Sequence, residues 1–137
     1  MIFYADDDLD DLEIFREIAN QLKVELKTFE NGQQLLDELI NINLKPKLIF
    51  LDINMPGYNG LQILEMIRHD LQWHQVPIIM FSTSGSDHVI SESLALGATF
   101  YLRKFSDYAG LKRALSFILN RDWKYFKPDK DNFVYCY

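Results

Sequence analysis

The segment Leu48-Ile49-Phe50-Leu51-Asp52-Ile53-Asn54-Met55-Pro56-Gly57 runs four apolar residues straight into a carboxylate and then into a turn. Four consecutive apolar side chains leave no polar face, so a strand built from them must be covered on both sides, the condition of a strand inside a parallel sheet. Beyond the turn and Gly60, the spacing of Leu61, Leu64, Ile67 and Leu71 predicts a helix. Further apolar runs of the same kind are Ile2 to Ala5, Val76 to Phe81 and Thr99 to Leu102. Val24 to Phe29 instead alternates apolar and polar residues, as a half-covered edge strand should.

Helical periods fill the intervals. Leu12, Phe15, Ala19 and Leu22 make one stripe behind the acidic turn Asp8 to Asp11, and Leu35, Leu36, Leu39 and Ile40 follow Asn31-Gly32. Val89, Ile90, Ser93 and Leu94 lie between Ser86 and Gly97, and Leu111, Ala114, Leu115, Ile118 and Leu119 follow the candidate cap Ser106. Strand and helix alternate five times with short connections. This predicts an α/β fold: a five-stranded parallel sheet, order 2-1-3-4-5, with right-handed crossovers and helices on both faces. Ligands of such sheets bind beyond the carboxyl ends of the strands, where the winding reverses between strands one and three.

With 137 residues, one core is expected. The 48% hydrophobic and 25% charged composition is that of a soluble globular chain, with no window apolar enough for a membrane span. Met1 to Ala5 runs into Asp6-Asp7-Asp8 without a basic segment, which argues against a secretory signal and for the cytoplasm. Cys136 has no second cysteine to pair with. A net charge of −6 with no basic run argues against nucleic acid as a partner and for proteins or small anions.

Four of the five strand ends carry polar groups: Asp6 and Asp7 after the first, Asp52 after the third, Ser82 and Thr83 after the fourth, Lys104 after the fifth. Each alone has an ordinary structural explanation, as a helix cap or a solvated charge. Together they converge on one rim, where crowded carboxylates repel unless a cation neutralises them. Oxygen donors without histidine or thiol suit a hard divalent ion, and Mg²⁺ is the expected cofactor. Asp52 is then a candidate nucleophile for a phosphoryl group, with Lys104 and Ser82 holding the remaining oxygens.

Asp6-Asp7, Leu51 to Gly57, Ser82-Thr83, and Lys104 with Tyr101 three residues before it resemble the receiver domains of two-component response regulators over residues 1–121. The resemblance implies a flavodoxin-like (βα)5 fold and a phosphoacceptor at Asp52. It also implies metal ligation by Asp7, Asp52 and the backbone carbonyl of Asn54, with Asp6 acting through a metal-bound water. Ser82 and Tyr101 would form the switch, Tyr101 turning inward, while Lys104 pairs with the phosphoryl group. The donor would be a histidine kinase or histidine phosphotransfer protein. No effector module is recognised after residue 121, so the expected output is a separate protein. One departure is Phe105, where the family usually places a proline, often after a cis bond. A cis bond to a non-proline residue costs about 3–4 kcal/mol, so a trans Lys104–Phe105 bond is expected. Phosphatases of the haloacid dehalogenase class use similar groups, but usually carry a second carboxylate two residues after the nucleophile, where this chain has Asn54.

Residues 122–137 read as an aromatic-rich extension, with Trp123, Tyr125 and Phe126 before the turn-like Pro128 to Asn132, and Phe133, Tyr135 and Tyr137 alternating as on a strand. It could pack back over the domain, or pair with a sheet edge in cis or in trans, as in a homodimer. His69, His74 and His88 are read as solvated.

Overall fold

The computed structural model describes residues 1–41, 45–70 and 72–135. Its elements are β1 (Ile2–Ala5), α1 (Leu9–Gln21), β2 (Leu26–Phe29), α2 (Gly32–Asn41), β3 (Leu48–Leu51), α3 (Gly60–Arg68), β4 (Ile78–Ser82), α4 (Asp87–Ala95), β5 (Phe100–Arg103) and α5 (Tyr108–Asn120). The five strands pair in parallel in the order β2-β1-β3-β4-β5. Alternate residues of each buried strand face opposite layers. Phe3, Ile49, Leu51, Ile78, Met80 and Tyr101 meet Leu35, Leu39, Ile63, Leu64 and Ile67 on the side of α2, α3 and α4. Tyr4, Phe50, Ile79, Phe81 and Leu102 meet Leu12, Phe15, Ile18, Leu115 and Ile118 on the side of α1 and α5.

Several boundaries move for local reasons. Strand β4 begins at Ile78 rather than Val76, because Pro77 has no N–H for the ladder, although its carbonyl accepts from Ile49 N–H at 3.0 Å. Strand β2 begins at Leu26 and β5 ends at Arg103, each shifted from its expected span. The N-cap of α5 is Asp107, not Ser106, and its side chain makes no capping bond. Helix α3 ends at Arg68 with His69 as its C-cap; Leu71 lies outside the described residues, as do Cys136 and Tyr137. Residue 59 supplies a capping box that the sequence reading passed over: Asn59 Oδ1 accepts from Gln62 N–H, and Gln62 Oε1 accepts from Asn59 N–H, both at 2.9 Å.

Arg68 ties three segments together from the end of α3. Its guanidinium donates to the carbonyls of Gly97 and Val76, both at 2.7 Å, and to Thr99 Oγ1 at 3.3 Å. Burial lowers its pKa to about 10.

The extension packs back over its own domain. Trp123 Nε1 donates to Ile118 O at 2.9 Å, and its ring lies 5.0 Å from both Phe100 and Phe126. The Arg121 guanidinium stands 4.8 Å from the Phe126 ring and 5.1 Å from that of Trp123. Asp129 then folds the chain: its Oδ1 accepts from the N–H groups of Asp131 and Asn132 at 2.8 and 3.0 Å, while Asn132 Oδ1 accepts from Asp129 N–H at 2.7 Å. The returning segment bridges the open edge of β5 in parallel, Val134 facing Tyr101. The pairing is thus in cis. Because Trp123 is only 5% exposed, Trp123→Ala should cost about 3 kcal/mol in urea unfolding, whereas a solvated appendage would lose almost nothing.

Candidate functional site

The carboxyl ends of β1, β3, β4 and β5 open on one rim, and the short loops behind them fix the polar groups. Asp6 follows β1, is fully buried, and accepts from three donors: Tyr4 Oη, Asp8 N–H at 2.9 Å and Lys104 Nζ at 2.6 Å. Asp8 caps α1, accepting from Asp10 and Asp11 N–H at 2.9 and 3.2 Å, so the first turn of the helix is held against the site. Asp52 follows β3, 5% exposed, with Oδ1 at 3.3 Å from Lys104 Nζ. Asp7 is exposed beside them, and one carboxylate oxygen from each of Asp6, Asp7 and Asp52 lies within 4.8 Å of the others.

Lys104 reaches this cluster from the far side of the sheet because the backbone after β5 is pinned: its N–H donates to Ser82 O at 2.7 Å. The Lys104–Phe105 bond is trans, and the Phe105 ring lies against Gly110 at the start of α5. The amine also donates to Asp11 Oδ2 at 2.9 Å. Asp11 and Tyr4 therefore belong to the network, although the sequence reading gave Asp11 only a helix-end role and Tyr4 none. Ser82 is buried at the end of β4, and its Oγ accepts from Ser84 N–H at 3.2 Å. Tyr101 is fully buried and donates to Ser84 O at 2.8 Å. Asn54 lies exposed two residues past Asp52, and Thr83 is exposed as well.

Helix α3 presses on the loop that carries Asp52. A Cβ added to Gly60 would fall 2.8 Å from Ile53 Cα, 2.9 Å from Asp52 C and closer still to Asp52 O, so only glycine allows this approach. Gly57, at φ +74°, takes the left-handed turn before it.

Charge on the rim is unbalanced. Burial raises the Asp52 pKa from 3.8 to about 7, with the negative charge of Asp6 adding to it and Lys104 opposing it. Burial alone would push the Lys104 ammonium down, but bonds to Asp6 and Asp11 and the charge of Asp52 outweigh that and hold it above the ordinary lysine value. Tyr4 is held well above the usual phenol range by burial and by Asp6. One ammonium thus serves Asp6, Asp11 and Asp52, with Asp7 beside them. Such an all-oxygen, net-negative donor set fits a hard divalent cation.

Residues 2–116 match the family described as response regulator receiver domain. The chain belongs to this receiver family. It is 30% identical over 132 residues to the transcriptional regulatory protein CpxR of Escherichia coli, covering 96% of this chain but 54% of that protein. Chemotaxis protein CheY1 of Helicobacter pylori is 31% identical over 90 residues, 66% of this chain and 72% of CheY1. Among solved structures, the phosphorylated cyanobacterial phytochrome response regulator RcpA superposes with a TM-score of 0.78 at 27% identity, covering 85% of this chain and 89% of RcpA. Receiver domains are phosphoacceptor signalling switches of two-component systems, and members bind a divalent cation at an acidic cluster of the kind formed here. The chain spans about half the length of CpxR. Among the described residues, no helix is long and apolar enough to cross a membrane.

His69, His74 and His88 are all exposed, and His88 Nε2 stands 3.8 Å from Glu92 Oε2 on α4.

Two measurements check the charge balance and the packing of the Asp52 loop. The folded chain holds the Asp52 proton more tightly than the unfolded chain does, so that stabilisation is complete below about pH 4 and is lost as pH rises through about 7. In divalent-free buffer, Asp52→Asn should flatten that fall and raise stability at alkaline pH by on the order of 1 kcal/mol, read as a gain of about 4 °C in melting temperature. Gly60→Ala should displace the Asp52 loop and destabilise the fold by roughly 1–3 kcal/mol in chemical denaturation.

Proposed function

We propose that Asp52 accepts a phosphoryl group from a histidine kinase or histidine phosphotransfer protein, and that the modified domain changes its affinity for a separate protein target. The observation that carries this reading is the meeting of Asp52, Asp6, Asp7 and the Lys104 amine at one rim. A carboxylate oxygen of Asp52 attacks phosphorus as the phosphohistidine P–N bond breaks, and the departing imidazole nitrogen keeps the electron pair and takes up a proton. A bound Mg²⁺, held by Asp7, Asp52 and the main-chain oxygen of Asn54 and through water by Asp6, would supply positive charge against the oxygens of the transferred group.

The protein's own residues do the rest. Asp6 is already occupied by Tyr4, Asp8 N–H and Lys104, which supports its acting through water rather than directly. Lys104 lies 3.3 Å from Asp52 Oδ1, close enough to pair with a phosphoryl oxygen attached there. Ser82 donates its hydroxyl to another of those oxygens, and Tyr101, bonded to the same loop through Ser84 O, follows its movement. Ser82 and Tyr101 are the switch in this reading, while Asp52, Ser82 and Lys104 do the chemistry. Residues 1–121 are the receiver domain and 122–137 an extension, acting in the cytoplasm.

Incubation with acetyl phosphate and Mg²⁺, followed by intact mass measurement, should give one base-labile phosphoryl group on the wild type and none on Asp52→Asn. Chelation of Mg²⁺ should abolish the adduct. Steady turnover of a small phosphomonoester without a stable adduct would point instead to a phosphatase.

A further inference from the structure

We propose that the tail is a built-in strap on the switch: Phe133 is a positioning residue for Tyr101, and docking of residues 129–135 and phosphorylation of Asp52 favour each other. The proposal rests on the reading of Asp52, Ser82 and Tyr101 given above.

Strand β5 is the last of the sheet, so Tyr101 would lie on an open edge if nothing followed α5. The tail closes that edge at this one residue. Tyr101 N–H donates to Phe133 O and Tyr135 N–H donates to Tyr101 O, both at 2.9 Å, so both main-chain polar groups of Tyr101 are taken by the strap. Phe133 is 1% exposed and joins the core on the α2, α3 and α4 face, its ring 6.1 Å from that of Tyr101. A buried phenylalanine directly after the exposed turn residues 129–132 has been placed by packing, not left there by a fraying terminus.

From Phe133 the contacts run inward without a break. Its ring meets Tyr101, Tyr101 Oη donates to Ser84 O at 2.8 Å, and Ser84 N–H donates to Ser82 Oγ at 3.2 Å. Ser82 is the hydroxyl assigned to the phosphoryl group. A phenol swung outward would have to pass the segment that Phe133 and Val134 occupy beside β5, so a docked strap keeps the ring inward and a detached strap releases it. Since the strap binds one position of Tyr101 better than the other, it must shift the equilibrium toward that position, and phosphorylation must in turn tighten the strap by the same factor. The Asp129–Asn132 turn lowers the entropy cost of this return by folding the segment locally.

Three variants of the whole 137-residue chain test it. Phe133→Ala removes the ring, Tyr135→Pro removes the N–H that bonds Tyr101 O together with the Tyr135 ring that lies against Phe117 and Phe100, and Phe133→Leu restores apolar volume at the Phe133 site. Thermal melting establishes that each is folded. The acetyl phosphate concentration giving half-maximal Asp52 adduct in Mg²⁺ should rise about 5- to 150-fold in Phe133→Ala and Tyr135→Pro, and return toward wild type in Phe133→Leu. In the wild type, beryllofluoride with Mg²⁺ should slow hydrogen exchange of the Tyr135 amide by the factor that Tyr135→Pro costs. Unchanged half-saturation in a folded variant, or Tyr135 exchange indifferent to beryllofluoride, overturns the strap while the wild-type adduct stands. If Phe133→Ala does not fold, Tyr135→Pro and the exchange measurement decide. Absence of an Asp52 adduct in the wild type itself overturns the phosphoacceptor reading and the strap together.

Discussion

A single ammonium group, that of Lys104, ties the rim together. It leaves the edge strand β5, passes the ends of β4 and β3, and meets Asp52 on the way to Asp6 beyond β1 and Asp11 on α1. Without it, the buried carboxylates would repel one another in a setting that screens little, and they would drive the loops apart or take up protons. With it, enough negative charge remains for a divalent ion to matter. The rim is therefore held by attraction yet left short of neutral, which is the condition a group-transfer site needs if binding of a cation and of an anionic group is to be favourable in turn.

The parallel sheet is what makes so long a reach workable. Its buried strands β1, β3 and β4 are fully covered, so their ends cannot drift: Asp6 and Asp52 sit one step beyond β1 and β3, and Ser82 is the last residue of β4. Helix caps add to this. Asp8 anchors the start of α1 next to Asp6, and the close seat of Gly60 against the Asp52 loop fixes the start of α3. Ser82 and Tyr101 lie on neighbouring strands and are joined through Ser84, the contact on which the proposed switch depends.

Most of the architecture was legible in the sequence because buried parallel strands announce themselves as unbroken apolar runs and the helices between them keep their period. The strand order and the two helical layers followed from that alternation. The convergence of Asp6, Asp7, Asp52, Ser82 and Lys104 on one rim was readable from their places at strand ends. What escaped were partners chosen by distance in space: Tyr4 inside a strand looks like any core aromatic, and Asp11 looks like any acid in a first helical turn. Arg68 was missed for the same reason, since the oxygens it gathers come from two segments distant in sequence, Val76 before β4 and Gly97 and Thr99 before β5. The tail's alternation suggested strand pairing but held no information on which edge, or whose. That choice depends on how Trp123 and the Asp129 turn aim the chain, and neither has a period to read.

Pairing of residues 133–135 with β5 also bears on how the molecule behaves in a crowded solution. An uncovered outer strand offers a row of free amides and carbonyls on which another chain can grow, the starting point of ordered aggregation. Here one margin is bridged from within at Tyr101, whose amide and carbonyl are taken by Phe133 and Tyr135. The opposite margin, β2, is only four residues long and carries Lys27 in an ion pair with Glu38 at 2.7 Å, a charge that discourages an incoming strand. The surface left open to other molecules is therefore made of helices and loops rather than of sheet margins.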